Sequence, residues 1–412
     1  MKLPDPVIEI IREIENNDFE AYLVGKTVYE CLEGESTDSY SLISNAPISF
    51  FLNSIIEWKL IEEDMLQYIT PPHDNSTIIS VKIFHDSLEQ YFHTCSYTFE
   101  AIAMTKDGIL FDDESGLNDC KYHVLRTISD PNSIIVKDPT IVMTSLLYAT
   151  KYDLRYHPSL TRAIADNSNL IQEIPPEVIL HYFQNMLACS NPGWGVEILI
   201  KNNLLSLVIG KSIDISIKEN EEIALDLYCK NIHKTKPIIR NRLCAFYLCF
   251  VNNRDLEVIN HLPYDTSLLS TYKYIRENLS TILSKHSRYS LKRFIYNQGS
   301  NNYRLLDDMN KIICKVFDVG CSEAYKRQEM LCDIINKGEA IFLDDLQITS
   351  QDLIETAVVT TVEDTASILE SILKHIHFFP MKNEKSYLLK IAKKARAKKA
   401  VITKIQKILS NG

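Results

Sequence analysis

Residues 20–43 read Glu20-Ala21-Tyr22-Leu23-Val24-Gly25-Lys26-Thr27-Val28-Tyr29-Glu30-Cys31-Leu32-Glu33-Gly34-Glu35-Ser36-Thr37-Asp38-Ser39-Tyr40-Ser41-Leu42-Ile43. The run from Glu20 to Gly25 predicts a short buried strand entering a tight turn, because aromatic and aliphatic residues end at a glycine. Thr27 to Leu32 then predicts a helix. Asp38 to Ile43 predicts a second strand, with Ser39 and Ser41 on one face and Tyr40 and Leu42 on the other, since side chains alternate along a strand. Strand, turn, helix, strand in two dozen residues is the start of a small mixed α/β unit.

Upstream, Val7, Ile10, Ile11 and Ile14 form one apolar stripe, which predicts a helix that Asp5 caps and Pro6 starts. Downstream, Thr77 to Phe84 and Thr98 to Met104 predict further strands, the second followed by a hairpin-like turn at Lys106-Asp107-Gly108. After Asp130-Pro131 the texture changes. Helical periodicity takes over in stretches such as 140–151, 176–189, 221–230, 239–251, 291–298, 303–316 and 321–335. A further helix at 363–377 sets Ile368, Ile372 and Ile376 on one face before Pro380. The expected class is α+β, a small mixed head followed by a long all-α body, with boundaries at 1–130, 131–260 and 261–412.

The chain has 412 residues, 45% hydrophobic and 24% charged, the composition of an ordinary globular protein. Gly 11 and Pro 14 are too few for a fibrous or disordered chain. No apolar run approaches the roughly 20 residues of a membrane-spanning helix. The opening MKLPDPVIEIIREIE carries Asp5, Glu9, Arg12 and Glu13, which is not the pattern of a signal peptide. None of the ten cysteines forms a C-x-x-C pair. Cys244–Cys249 and Cys314–Cys321 are the closest spacings, so buried structural thiols in a reducing cytoplasm are expected rather than zinc. His375 and His377, two apart on a helix, point to different faces and do not suggest a shared metal.

Net charge is −10, against a protein coated in nucleic acid by bulk electrostatics. The distribution is uneven. Residues 387–412 hold eight Lys or Arg and no acid, leaving a net −18 on the rest. On a helix, 391, 395, 402, 405 and 409 line an apolar stripe with most cations off it. Lys393, Lys394, Arg396, Lys398 and Lys399 are the candidate RNA contacts, weighed against a solvated face or a docking surface for a protein partner.

Further landmarks carry a family resemblance. Tyr22-Leu23-Val24-Gly25-x-x-Val28-x-x-x-Leu32-x-Gly34 is followed by Phe99-Glu100-Ala101-Ile102-Ala103, Asp107-Gly108 and Gly116-Leu117-x-Asp119. Leu125-Arg126, Lys137-Asp138-Pro139, Gly338-Glu339-Ala340-x-Phe342-Leu343 and Ile348-x-x-x-Asp352-Leu353-Ile354 come next. In this order, over nearly the whole chain, they resemble the class II tRNA nucleotidyltransferase (CCA-adding enzyme)/poly(A) polymerase family. The resemblance implies a nucleotidyltransferase head at 1–130, a helical neck that handles nucleotide and RNA at 131–260, and a body with a basic tail at 261–412. It also implies magnesium, held by two aspartates two apart on a strand.

At the family's charged positions this sequence departs from the pattern. The paired aspartates fall on Ser39 and Ser41. The Gly-Gly turn is Gly25-Lys26, and the Arg-Asp pair after it is Tyr29-Glu30. The Arg-Arg-Asp run matches Thr94-Cys95-Ser96. The Glu-Asp-x-x-Arg motif that reads the incoming base matches Lys137-Asp138-Pro139-Thr140-Ile141, and the following Glu-Arg pair is Glu177-Val178. Packing landmarks persist where charges are lost, so the leading expectation is a catalytically degenerate family member. It would be cytoplasmic, with no cofactor, no membrane association and weak binding of tRNA-like RNA. Two alternatives stay open. One is an active magnesium-dependent transferase adding CMP or AMP to RNA 3′ ends with other carboxylates, Glu30, Asp38 or Glu100. The other is a protein-interaction scaffold.

Overall fold

The structure is a computed structural model that describes residues 3–34, 39–54, 56–62, 65–69, 77–209, 219–250, 262–283, 287–359 and 361–410, with side chains at all but 362–363 and 398–410. Two compact units divide it: residues 1–215 with 261–263, and residues 216–260 with 264–412. Among the described residues no helix is long and apolar enough to cross a membrane.

In the first unit α1 (Asp5–Glu15) buries Val7, Ile10, Ile11 and Ile14, as their spacing predicts. Its N-cap is Pro4 rather than Asp5, which lies already inside the first turn with no side-chain cap bond. β1 (Ala21–Val24) ends at Gly25, whose φ of +54° lets the chain turn directly into α2 (Lys26–Glu33). Gly34 stops α2 in the left-handed conformation, φ +73°. β2 (Ser39–Ser44) and α3 (Ile48–Leu52) follow.

β3 (Lys59–Glu62), β4 (Met65–Ile69) and β5 (Ile78–Ile83) come next, then α4 (Leu88–Thr94), β6 (Ile102–Met104) and β7 (Leu110–Asp112). The seven strands lie in the order β3-β4-β5-β2-β1-β6-β7. β2 and β5 pair in parallel; every other pairing in the sheet is antiparallel. The strand expected over 98–104 is shorter than predicted. Thr98–Glu100 is a 3-10 turn, because the Glu100 carboxylate reaches back to accept the Tyr97 backbone N–H at 3.2 Å and tightens the chain there. The hairpin at Lys106-Asp107-Gly108 is present, joining β6 to β7.

Helices complete this unit: α5 (Gly116–Lys121), α6 (Pro131–Lys137), α7 (Ile141–Lys151), α8 (Pro158–Asp166), α9 (Ser168–Ile171), α10 (Pro176–Ala188), α11 (Pro192–Lys201) and α12 (Ser206–Ile209). Two short strands, β8 (Val124–Leu125) and β9 (Arg155–Tyr156), pair in parallel among them. The central helix α7 packs against α10 and α11. Gly195 on α11 makes that approach possible: a Cβ there would stand 2.3 Å from Thr150 Oγ1 and 2.4 Å from Met186 Sδ.

The second unit is helical: α13 (Glu219–Asn231), α14 (Ile239–Tyr247), α15 (Thr266–Leu283), α16 (Arg288–Gln298), α17 (Ser300–Val316), α18 (Ser322–Asn336), α19 (Ser350–Glu355), α20 (Val362–Phe378) and α21 (Lys385–Ser410). Ile368, Ile372 and Ile376 form the expected face of α20 and pack with Leu353, Leu388 and Ala392. The stripe of α21 is shifted from the expected one. Leu388 and Ala392 are fully buried while Ile391 is only half-buried, because α20 meets α21 along the 388/392 line. Residues 402, 405 and 409 of the expected stripe lie outside the described side chains. Lys292, wholly buried on α16, is neutralised by Glu339 at 2.9 Å, and Arg288 pairs with the same carboxylate. Removing one partner of such a pair leaves an uncompensated buried charge.

All ten cysteines are free thiols, but only half are buried. Cys321, just before α18, is half-buried with no side-chain bond to the helix start, and Cys332 is exposed, so the cysteines are not uniformly core residues as expected. His375 Nε2 lies 2.9 Å from the Tyr387 hydroxyl, and the buried His377 has Nε2 3.1 Å from the Ile341 carbonyl. The two imidazoles have separate partners.

Candidate functional site

Ser39 and Ser41 stand on one face of β2, both half-exposed, while Tyr40 and Leu42 between and beyond them are buried. The Ser41 backbone N–H donates to Thr27 Oγ1 at 2.7 Å, which ties this strand to α2. Directly paired residues share a face. Ser41 therefore sits in a row with Ser80 of β5, Gln67 of β4 and Lys59 of β3, and Ser39 in a row with Ile78 and Ile69. These rows contain hydroxyls, an amide, an ammonium and isoleucines, with no carboxylate. Magnesium takes anionic and carbonyl oxygens in a tight octahedron. The rows through Ser39 and Ser41 do not fit it. Among the described residues no three His, Cys, Asp or Glu side chains come together as a metal cage.

The other candidate carboxylates are occupied. Glu30, 6% exposed on α2, has Lys26 at 3.8 Å and Lys151 of α7 at 3.6 Å from the same oxygen. Burial and the neighbouring Lys26 charge push the Lys151 ammonium below its usual range. Glu100 accepts hydrogen bonds from the Tyr97 and Ser96 backbone amides and the Tyr148 hydroxyl. Burial nevertheless pushes its carboxyl above the usual range, against those bonds and the Lys82 charge. Asp38 lies outside the described residues.

Glu100 gives a pH test with a definite sign. Its raised pKa means the folded protein keeps the proton longer than the unfolded chain, so its contribution is best below the unfolded pKa and is lost as pH rises through the folded one. Glu100→Gln should equal the parent in urea denaturation near about pH 4 and gain on it as pH climbs toward neutrality. A variant that loses ground with rising pH would mean the carboxylate is needed in its charged form.

The remaining positions are packed or capping residues. Tyr29 is buried, its hydroxyl donating to the Tyr152 carbonyl at 3.1 Å and its ring against Phe99 and Tyr152. Gly25 lies over Glu100, 3.5 Å from the Glu100 backbone to where a Cβ would be. Lys26 is half-exposed and belongs to the Glu30 pair. The Cys95 thiol is pushed up to about 12 by burial and by the Glu100 charge, and Ser96 beside it is half-buried. Asp138 is exposed, but its Oδ1 accepts from the Thr140 N–H at 2.9 Å and hydroxyl at 2.6 Å. Half-buried Ile141 offers its carbonyl to the Tyr97 hydroxyl at 2.9 Å. Sequence reasoning missed the aromatic cluster of Tyr97, Phe99, Tyr148 and Tyr152 that joins these positions. The four-residue spacing of Tyr148 and Tyr152 on a helix was the available signal.

On α21, Lys393 and Lys394 are exposed and Arg396 donates to the Ala357 carbonyl at 3.0 Å. The Lys398 and Lys399 side chains lie outside the described residues.

No family model matches the chain. The CCA-adding enzyme of Ligilactobacillus salivarius is 23% identical over 410 residues, 94% of this chain and 95% of that protein. Against several other curated CCA-adding enzymes the chain spans about half their length. The Bacillus stearothermophilus CCA-adding enzyme, solved in complex with CTP, superposes with a TM-score of 0.76 at 14% identity, covering 97% of this chain and all of that one. The Thermotoga maritima CCA-adding enzyme complexed with tRNA gives 0.67 at 16% identity, covering 95% and 96%.

The chain is similar in sequence to CCA-adding enzymes and shares their fold.

The family resemblance read from the sequence and the α+β class are both met. The landmarks that carry the resemblance are framework residues. Asp119, buried, receives Arg126 Nε at 2.8 Å and the Thr98 hydroxyl at 2.7 Å, locking α5 to the turn before β6. Asp352 closes a capping box with Thr349 at the start of α19.

Proposed function

We propose that this chain is a catalytically silent tRNA nucleotidyltransferase-like protein that keeps the family frame for holding RNA. The observation that carries the reading is the pair Ser39 and Ser41, side by side on the half-exposed face of β2, in rows without a carboxylate. Neutral hydroxyls cannot replace two carboxylates around a hard dication. The two candidate carboxylates among the described residues, Glu30 and Glu100, are engaged by lysines and by backbone amides. The RNA part of the proposal draws on the relative solved with tRNA and on the cations of α21. Cytoplasmic location is part of the same reading, drawn from the ten free thiols.

The test is incorporation. Pure protein with labelled CTP or ATP, magnesium and a tRNA lacking its 3′ end should give no more product than a boiled control. Ser39→Asp with Ser41→Asp should not restore activity. Ile141 would still stand where a base-reading arginine is needed, and Thr94 and Cys95 where the triphosphate is held. Incorporation by the parent protein would overturn the reading, and recovery by the double change alone would show the rest of the pocket to be competent.

A further inference from the structure

A cavity of about 280 Å³ lies where α7 ends, lined by Tyr122, His123, Asp153, Arg155 and Trp194. Its residues come from three segments: the end of α5, the turn from α7 into β9, and the first turn of α11. The walls are fixed by main-chain bonds. The Arg155 N–H donates to the His123 carbonyl at 2.8 Å, and the Trp194 indole N–H donates to the Leu154 carbonyl at 2.9 Å. His123 and Asp153 both hold the left-handed backbone conformation, φ +53° and +54°, and both line the opening. Asp138 and Ile141, at the family's base-reading position, flank the start of α7. Eleven helical residues, about 16 Å, separate that end from this cavity.

The lining is chemically mixed in a particular way. Trp194 is half-buried and held, whereas Tyr122 is 62% exposed, a large aromatic face turned to solvent. Arg155 is exposed at the rim, and Lys121 stands 5.6 Å from the Tyr122 ring centre. Lys201 lies 4.8 Å from the Trp194 ring and is paired with Glu197 at 2.9 Å. Asp153 accepts a long bond from Asn191 at 3.5 Å. Aromatic faces beside a guanidinium take a stacked base with its phosphate. A carboxylate between them accepts the exocyclic amino group of a base. A bare anion would leave both rings unused, and an aliphatic ligand would leave Arg155 and Asp153 unanswered. The volume is at the small end of ligand cavities, suited to one nucleotide.

We propose that this cavity binds a single nucleotide carrying an amino-bearing base, stacked between Tyr122 and Trp194 with its phosphate on Arg155 and its amino group on Asp153. The nucleotide can be free or one residue of a single-stranded RNA. The site does not depend on the cations of α21.

The chain has two tryptophans, and Trp58 is buried, so Trp58→Phe leaves Trp194 as the reporter. With that protein, AMP and CMP should quench fluorescence saturably after correction for absorption, and UMP should bind several-fold more weakly. Hexacytidylate in place of the monomers tests the RNA source: quenching by monomers identifies a free nucleotide, quenching by the hexamer alone identifies a strand. Tyr122→Ala and Arg155→Ala should each weaken the quenching ligand about tenfold or more without lowering the melting temperature, since both side chains are exposed. Serine substitutions of the α21 cations should leave the quenching in place. No saturable quenching by monomers or hexamer at up to about 10 mM would overturn the proposal, as would quenching unchanged in both variants. Equal affinity for UMP would overturn the part given to Asp153.

Discussion

Gly116→Ala should destabilise the first unit by about 3 kcal/mol or more, lowering its melting midpoint by about 6–12 °C. A Cβ at this position would stand 2.2 Å from the Thr98 carbonyl oxygen and 2.8 Å from Ile102 Cγ1. The first of these is backbone, inside the 3-10 turn that Glu100 and Asp119 hold, so it has little freedom to retreat. Nor can the helix slide. The Gly116 and Leu117 N–H groups both donate to the Asp112 carboxylate, at 2.8 and 2.9 Å. Gly320→Ala is the control, because nothing lies within 4 Å of its added Cβ and its φ is ordinary. That variant should melt within about 2 °C of the parent. A Gly116→Ala protein that also did so would show that α5 is docked far more loosely than these contacts require.

Gly116 also shows what the sequence could and could not say. It is legible as a landmark because its neighbours demand it sterically, and the same holds for Gly34, Asp119 and Asp352, which terminate, lock and cap their elements. Glu339 is similar: it neutralises a wholly buried lysine, and that requirement is independent of catalysis. Tyr29 and Ile141, which the resemblance matches to charged family positions, serve packing and a carbonyl contact in this fold. β3 and β4 escaped notice for a different reason. β3 is exposed along its whole length, so neither alternation nor an apolar run marks it.

The cavity at Tyr122 was equally silent. Its five residues come from separate segments, brought together by the parallel pairing of two-residue strands that no periodicity reveals. The tail stripe was visible but displaced by three residues, since helical spacing fixes a face only once the partner helix is known.

Changing Lys393, Lys394, Arg396, Lys398 and Lys399 to serine should remove the salt-sensitive tRNA binding that the parent shows at low salt. Binding through these cations would be a phosphate interaction, offset by the net −18 of the rest of the chain. If three to five phosphates are neutralised, parent affinity falls about 20- to 500-fold between 50 and 200 mM salt, with a slope of about −0.7 to −0.9 per contact. Preference among RNA sequences should be slight, because phosphate contacts carry no base information. Folding should be little affected. Lys393 and Lys394 are exposed, and the contact that packs α21 runs through Leu388 and Ala392 on another face. The Arg396 bond to the Ala357 carbonyl lies at the surface, where such a contact contributes little, so the melting temperature should stay within about 2 °C. Filter binding with a labelled tRNA across the salt range measures the affinity, and thermal denaturation the folding. Undiminished affinity in the five-serine protein would remove α21 from RNA binding. A large fall in melting temperature would show that the cations pack against acidic surface, and would favour a protein-interaction scaffold over an RNA-binding frame.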